Sequence, residues 1–418
     1  MLSPKPCDEV PVDLEETMRA ATERASRIES RSFAPPDESA ARSPWSARAH
    51  WPAAWAAIDP AALIRLPPEA ANAPAVLDAE AARRRALIVI PCLNEAGLIA
   101  KVIARILDDD ALVDPLVLVA DGGSSDGCRD VVADIAARDP RVRLLANPGR
   151  LQSAGVNLAA RTLGEDRPWL VRVDAHADYP RNYVSTLVEE ARRTGAHSVV
   201  VAMDTRGEVS FQRAVAAAQN SRIGTGGAAH RVGAAAGWVD HGHHALFSRD
   251  AFEAIGGYDE SFSHNEDAEL DLRLAQEGGR IWLTDRTRIV YHPRSTPGAL
   301  WKQYLSYGKG RARTVFKHYT PLKMRQTLPL AVAPAVLGAL GAPLFWPLAL
   351  PALLWMAVAL GYGAALAAKQ RDGAVLMAGP AAMIMHLAWS LGFWLQVLRW
   401  ATRRPSAEPP ARAAAVTP

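Results

Sequence analysis

The sequence predicts an α/β protein: a Rossmann-like, mostly parallel sheet with flanking helices, followed by a C-terminal transmembrane helical segment. Three observations carry that expectation. Short apolar runs of the buried-strand type alternate with helical stretches between Ala86 and Met203. Residues 327–368 carry no charged side chain, length enough for two crossings at roughly 20 residues each. After the break KQRD (369–372), residues 374–398 are apolar again and supply a third candidate span.

The elements follow in order. ALIVIP (86–91), PLVLVA (115–120), VRLLA (142–146), PWLVRVD (168–174) and residues 198–203 read as strands. Helices are expected over about 95–108, 126–138 and 151–164. Such alternation makes βαβ units, with functional groups at the carboxyl ends of the strands. The chain has 418 residues, and its 47 Lys+Arg nearly balance 44 Asp+Glu, which argues against a dedicated nucleic-acid binder. Cys7, Cys92 and Cys128 include no CxxC pair, so neither a disulfide framework nor a zinc site is expected. Asp8, Glu9, Asp13, Glu15 and Glu16 stand where a signal peptide would be basic. The expected organisation is a poorly ordered extension (1–80) with a charged helix over 13–32 and Trp45, Trp51 and Trp55. A catalytic domain (81–325), two to three membrane helices (326–400) and a disordered tail (401–418) follow.

Four motifs fall at the ends of these elements: PCLNE (91–95), VADGGSSDG (119–127), VRVDAHADYP (171–180) and SHNEDAELDLRL (263–274). In the second, the glycines let backbone approach a ligand, and Asp126 is placed to cap a helix. Its spacing fits neither GxGxxG nor GxxxxGK[ST], so NAD and P-loop readings fail. In the third, Asp174 and His176 point the same way if the chain stays extended, a pair suited to Mn²⁺ or Mg²⁺ completed by diphosphate and water. In the fourth, Glu266 and Asp267 open a helix, where acids also simply complement the dipole. Each motif alone is equally an ordinary turn, strand end or helix start.

Together, and in this order, they resemble the family 2 glycosyltransferases with their GT-A fold, over about residues 86–320, and within that family the succinoglycan-type bacterial exopolysaccharide enzymes. RVDAHADYP, TGGAAHR (225–231), GGYDESFSHNEDAELDLRL (256–274) and YHPRSTPGALWKQYLSYGKGRAR (291–313) carry the likeness. The resemblance implies that Pro91, Asn94, Glu95, Asp121, Gly122 and Asp126 form the nucleotide-sugar pocket, typically for a UDP-sugar. Asp174 would bind Mg²⁺ or Mn²⁺. Asp267, beside Glu266, would be the general base in an inverting transfer. Gly226, Gly227, His230 and Arg231 would belong to the acceptor loop. A polyprenyl-diphosphate-linked saccharide is the implied acceptor, at the cytoplasmic face of the inner membrane and alongside polysaccharide-assembly partners.

Two departures stand out. The usual DxD is Asp174-Ala175-His176, leaving His176, Asp178 or water as second ligand. The Gln-x-x-Arg-Trp motif of processive synthases is replaced at its expected place by Gln303-Tyr304-Leu305-Ser306-Tyr307. A literal match at Gln396–Trp400 ends the last apolar segment, where Arg and Trp are ordinary interface anchors. One sugar per encounter is expected. Basic residues and aromatics alternating over 299–325 suit headgroup level on an anionic leaflet. His292 and Arg294 are placed either to approach the diphosphate or to bond around their loop. Three crossings would put the basic flanks Lys317, Lys323, Arg325 and Arg399, Arg403, Arg404 on opposite sides, against the positive-inside tendency. The alternatives are a polyprenyl-phosphate glycosyltransferase, a non-catalytic membrane partner keeping the pocket, and a small transporter. The last is thin, since His386 is the main ionisable residue of the spans.

Overall fold

The apolar runs form the centre of a ten-stranded sheet. The computed structural model describes residues 64–65 and 78–402, except 165, 229–230 and 232–234. The expectations for the helix at 13–32, for Trp45, Trp51 and Trp55, for residues 403–418 and for His230 lie outside the described residues. In chain order the strands are β1 (Ile64–Arg65), β2 (Ala86–Cys92), β3 (Leu116–Asp121), β4 (Val142–Ala146), β5 (Trp169–Arg172), β6 (Ala177–Asp178), β7 (Ser198–Thr205), β8 (Gly237–Val239), β9 (His243–Ser248) and β10 (Ile281–Tyr291). The helices that matter below are α1 (Ile99–Leu107), α2 (Cys128–Arg138), α3 (Gln152–Thr162), α4 (Tyr183–Thr194), α5 (Ser210–Gln219), α6 (Glu266–Gln276), α7 (Pro297–His318), α8 (Met324–Leu330), α9 (Val332–Ala339), α10 (Leu350–Gln370) and α11 (Ala378–Thr402).

Strand order is β1-β4-β3-β2-β5-β9-β7-β10-β6, with β8 on β10. The half from β4 to β5 is parallel, as the βαβ pattern dictates. The other half is mixed, because β9 runs antiparallel between β5 and β7. Side chains alternate across the sheet. Ile88, Ile90, Val117 and Val119 meet Val102, Ile103, Ile106 and Leu187 on one face. Leu87, Val89, Leu118 and Leu170 meet Val156, Phe247, Tyr258 and Leu270 on the other. Helix α1 puts Ile99, Val102, Ile103 and Ile106 inward, the i, i+3, i+4, i+7 stripe of an amphipathic helix.

The C-terminal helices do not form a separate layer. Val215, Ala217, Ala218 and Leu300 of α5 and α7 share one apolar core with Ala367, Val375, Ala378, Ala381 and Met385. Backbones approach closely where α7 crosses α11. A Cβ on Gly392 would meet Leu305 O at 2.1 Å, and one on Gly308 would meet Trp389 O at 2.0 Å. Two helical segments, 346–370 and 373–402, are long and apolar enough to cross a membrane, by length and composition. This corrects the upper expectation of three crossings. Residues 324–345 break into α8, with Pro329 inside it, and the short α9, so neither piece has the length of a span.

Helix α6 is fastened to α7 through Glu269, which is fully buried. It accepts from Arg273 Nε (2.9 Å), Lys317 Nζ (2.5 Å) and His318 Nε2 (2.9 Å). Burial alone would raise this carboxyl; the bonds from Arg273 and Lys317 outweigh it and hold it below the usual range. Its contribution to stability is therefore present above the unfolded carboxylate pKa, near 4.3, and fades as pH falls through the lower folded value.

Two glycine substitutions test the helix packing. Gly392→Ala is expected to cost about 1–3 kcal/mol through overpacking. Gly361→Ala, on an open face of α10 with nothing within 4 Å, is expected to be neutral or slightly stabilising. Thermal unfolding of the full chain in detergent compares them, and equal Tm values would show that α11 does not pack on α7.

Candidate functional site

The loops after β2 and β3 are laced together. Asn94 N donates to Ser124 Oγ (2.9 Å), and Asn94 Oδ1 accepts from Ser125 N (2.9 Å). Asn94 holds φ 59°, a left-handed conformation that asparagine tolerates. Asp126 accepts from Cys128 N (3.0 Å), the first residue of α2, and from Ala96 N (2.9 Å) in the other loop, while the N-cap position expected of it is taken by Gly127. These amides, Ala96 foremost, hold its carboxyl below the usual range. Asp121 is buried and turned into its own loop, accepting from Gly123 N (3.0 Å) and Ser124 N (3.2 Å). Gly122 admits a close approach, since a Cβ there would lie 3.0 Å from Arg150 O.

Pro91, Glu95, Asp174 and His176 line one cleft of about 160 Å³, together with Asn147, Arg150 and Gln152. A second cleft of about 350 Å³ is lined by Ser124, Ser125, Gly127, Arg129 and Asp130. The extended course that would align Asp174 with His176 is not kept: the chain turns at Ala175–His176. His176 Nδ1 instead lies 3.4 Å from Glu95 Oε1. Asp178 is bonded to Lys101 Nζ (2.8 Å) and His292 Nε2 (2.9 Å), so His292 braces β6 against β10, while Arg294 is exposed.

Asp174 sits at the end of β5 in a polar cage. Its Oδ1 accepts from Gln152 Nε2 (2.8 Å) and Arg172 Nε (3.3 Å), and His243 Nε2 stands 3.6 Å from Oδ2. Burial would raise this carboxyl, but the Arg172 charge, with His243 and His176 behind it, holds it below the usual range. Burial pushes the His243 imidazole down to about 4, against the pull of Asp174. Among the described residues, no three His, Cys, Asp or Glu side chains converge to cage a metal. Among the described residues Asp174 Oδ2 accepts no hydrogen bond, His243 Nε2 standing 3.6 Å away. That donor set fits a hard cation drawing most of its shell from diphosphate oxygens and water, not one held by protein alone.

Arg172 joins this carboxylate to the ED pair. It is the last residue of β5, two before Asp174, and its Nε reaches that carboxylate directly. Its Nη1 donates to Asp267 Oδ1 (2.7 Å) and to Tyr258 Oη (3.2 Å), and lies 4.0 Å from Glu266 Oε1. Tyr258 Oη also donates to Asp267 Oδ1 (3.0 Å). Asn265 sets the entry to α6 with φ 67°, and its Nδ2 donates to Thr314 Oγ1 on α7 (2.8 Å). Burial first, and the Asp267 charge second, push the Glu266 carboxyl up to about 7. One turn further, Asp271 Oδ2 bonds His241 Nδ1 at 2.6 Å. Sequence reasoning missed Arg172, Gln152, Tyr258, His241 and His243. A signal for Arg172 was present: a charge inside a buried strand run, at even spacing from Asp174.

Gly226 and Gly227 turn the chain with φ 59° and 76° after a short helix, Arg222–Thr225. Arg231 Nη1 donates to Thr205 Oγ1 (3.0 Å), and its guanidinium lies over the Tyr291 ring at 5.3 Å. This loop borders the C-terminal helices: His386 Nε2 on α11 donates to Ile223 O at 2.7 Å, while Trp355 Nε1 donates to His386 Nδ1 at 3.2 Å.

Comparison with known proteins shows the family. The model of glycosyl transferase family 2 matches residues 87–256. The chain is 52% identical to the succinoglycan biosynthesis protein ExoA of Rhizobium meliloti (strain 1021), over 76% of this chain and 96% of that protein. It is 22% identical to a dolichyl N-acetyl-α-D-glucosaminyl phosphate 3-β-D-2,3-diacetamido-2,3-dideoxy-β-D-glucuronosyltransferase of Methanococcus voltae, over 56% of this chain and 74% of that one. Among solved structures, the mannosyltransferase PcManGT of Pyrobaculum calidifontis, in complex with GDP-Man and Mn²⁺, aligns over 93% of this chain and 96% of its own. Its identity is 18% and its TM-score 0.48.

The network around Arg172 makes a stability prediction. Arg172→Met leaves buried carboxylates uncompensated and is expected to cost about 3–5 kcal/mol. Adding Asp174→Asn and Asp267→Asn is expected to recover most of that. Chemical denaturation of the single and triple variants measures both, and a triple variant no more stable than the single would refute the charge account.

Proposed function

The chain belongs to glycosyl transferase family 2, and on that premise we propose that it transfers a hexose from a nucleotide diphosphate sugar to a lipid-linked saccharide, with inversion, during exopolysaccharide assembly. The observation that carries this reading is the Arg172 guanidinium, which brings Asp174 at the donor cleft and Asp267 at the start of α6 onto one hub. The extensive identity to a succinoglycan biosynthesis protein supports the pathway class. The archaeal relative, named for a dolichyl-linked sugar phosphate, supports a lipid-linked acceptor. A UDP-sugar, most simply UDP-glucose, is the proposed donor.

In this reading the donor lies across the cleft formed by Pro91, Glu95, Asn147, Arg150, Gln152 and Asp174. Asp174, with or without His176, would hold Mg²⁺ or Mn²⁺, which would neutralise charge on the departing diphosphate. Asp267 takes the proton of an acceptor hydroxyl as that oxygen attacks the anomeric carbon; the bond to the nucleotide diphosphate breaks on the opposite face, and an α-linked donor gives a β-linkage. Arg172 and Tyr258 both bond Asp267 Oδ1, which fixes the plane of the carboxylate for that transfer. Glu266, buried beside it, has its carboxyl pushed up to about 7, which lessens the negative charge beside Asp267 near neutrality.

Anchoring is proposed through 346–370 and 373–402. Two crossings return the basic flanks Lys317, Lys323 and Arg325 and Arg399, Arg403 and Arg404 to one side, which suits a cytoplasmic catalytic face at the inner membrane.

Nucleotide release by the detergent-solubilised full chain tests the proposal, across UDP- and GDP-sugars, with Mn²⁺, Mg²⁺ or chelator, and a membrane lipid extract as acceptor. Release from one donor is expected to need both metal and extract. Asp267→Asn is expected to lower it roughly 10²–10⁴-fold with UDP binding kept. Asp174→Ala is expected to remove the metal dependence along with the activity. No turnover on any donor, with UDP still bound, would leave a non-catalytic partner; no UDP binding would undo the donor cleft.

A further inference from the structure

Two arginines beside the acceptor loop lack a bonded partner among the described residues. Arg311 on α7 and Arg325 on α8 are both half-buried, and among the described residues neither makes a hydrogen bond or ion pair. Their neighbours behave differently: Arg313 donates to Ser261 O (2.7 Å) and Lys317 to Asp259 Oδ2 (2.7 Å), while Lys323 pairs with Asp240. Burial pushes the Arg311 guanidinium down to about 10, and the nearby Arg325 charge pushes the same way. Asp271 opposes that shift, but its Oδ2 is already bonded to His241. Two like charges withdrawn from water without a counterion cost stability. A site arranged in this way gains when an anion arrives.

Position says which anion. A Cβ on Gly226 would lie 2.9 Å from Arg325 Cβ, so Arg325 packs directly on the TGG turn. Asp267 and Asp271 are four residues apart on α6 and share a face, and Asp271 is near enough to Arg311 for its charge to act on it. Met324 and Leu328, flanking Arg325, are 83% and 78% exposed, as suits a headgroup-level helix leading into the apolar spans. Guanidinium pairs match the oxygens of phosphate groups in geometry as well as charge. We infer that Arg311 and Arg325 form a phosphate-binding site for the diphosphate or phosphate group of the lipid-linked acceptor, next to the loop and one helical turn from Asp267. The inference rests on the reading of Asp267 as the acceptor-side base.

The test uses the full chain in phosphatidylcholine nanodiscs, with farnesyl diphosphate, inorganic pyrophosphate and added phosphatidylglycerol as probes and UDP binding as a separate control. Wild-type protein is expected to bind farnesyl diphosphate, with pyrophosphate competing. The Arg311→Gln/Arg325→Gln double variant is expected to lose about tenfold in affinity per arginine removed. UDP affinity is expected to stay unchanged, and Tm to hold or rise, because an unpaired charge has been withdrawn; an arginine serving only structure would lower it. Equal farnesyl diphosphate affinity in variant and wild type, or a Tm that falls in the variant, overturns the site. Displacement by phosphatidylglycerol as effective as by pyrophosphate overturns the acceptor assignment in favour of a general headgroup contact. Failure of wild-type protein to bind UDP would instead strike the donor reading, and it is scored apart because the diphosphate probe needs no nucleotide.

Discussion

A single buried guanidinium holds the site together. Arg172 reaches it from β5, the last of the four consecutive parallel strands, and it is only 5% exposed. Without it, Asp174, Glu266 and Asp267 would place three carboxyl groups in one poorly solvated space, an arrangement that resists ionisation. With it, the Asp174 carboxyl is held below the usual range, and burial beside Asp267 pushes that of Glu266 up to about 7. The rest of the architecture keeps that arginine supplied with partners. Helix α6 brings the ED pair, Tyr258 comes from the preceding segment, and β9 brings His243 up beside Asp174.

The parallel half of the fold was legible because each strand is a short apolar run and a helical stretch separates it from the next. The ends of β2, β3 and β5 carried the motifs where the topology of such sheets puts them. The other half was not, and the reason is β9. HHALFS (243–248) is short, begins with two histidines and pairs antiparallel with strands far away in sequence, so its place is set by tertiary contacts. The candidate site shows the same division. Asp174, Glu266 and Asp267 announce themselves at element ends, whereas Gln152 opens α3 and Tyr258 sits in a turn, and only folding brings them within reach. Spacing also misled once: period-two alternation would align Asp174 with His176, but the turn at Ala175 ends the strand too soon.

Apolar length alone overcounted the tail. Residues 327–368 look like material for two crossings, yet Pro329 and the proline-rich stretch around Pro343, Pro347 and Pro351 break the first part into pieces too short to span. What remains is unequal. Within the apolar windows, 17% of the residues in 346–370 are buried inside the protein, against 44% in 373–402. The first helix therefore meets its surroundings nearly all round, and the second is half an internal element. His386 fits that second role, both ring nitrogens being engaged by protein groups on separate segments.

The apolar core shared by α5, α7 and α11 has a practical bearing on how this protein is handled. A soluble fragment ended near residue 325, where the composition changes, would strip Ala378, Ala381 and Met385 from Val215, Ala218 and Leu300. The cut would pass through a hydrophobic core and expose its catalytic side to water. A fragment made in that way is expected to aggregate even though its sheet is complete. Biochemistry on this chain therefore calls for detergent or lipid from the start, for the sake of the catalytic half as much as of the apolar helices.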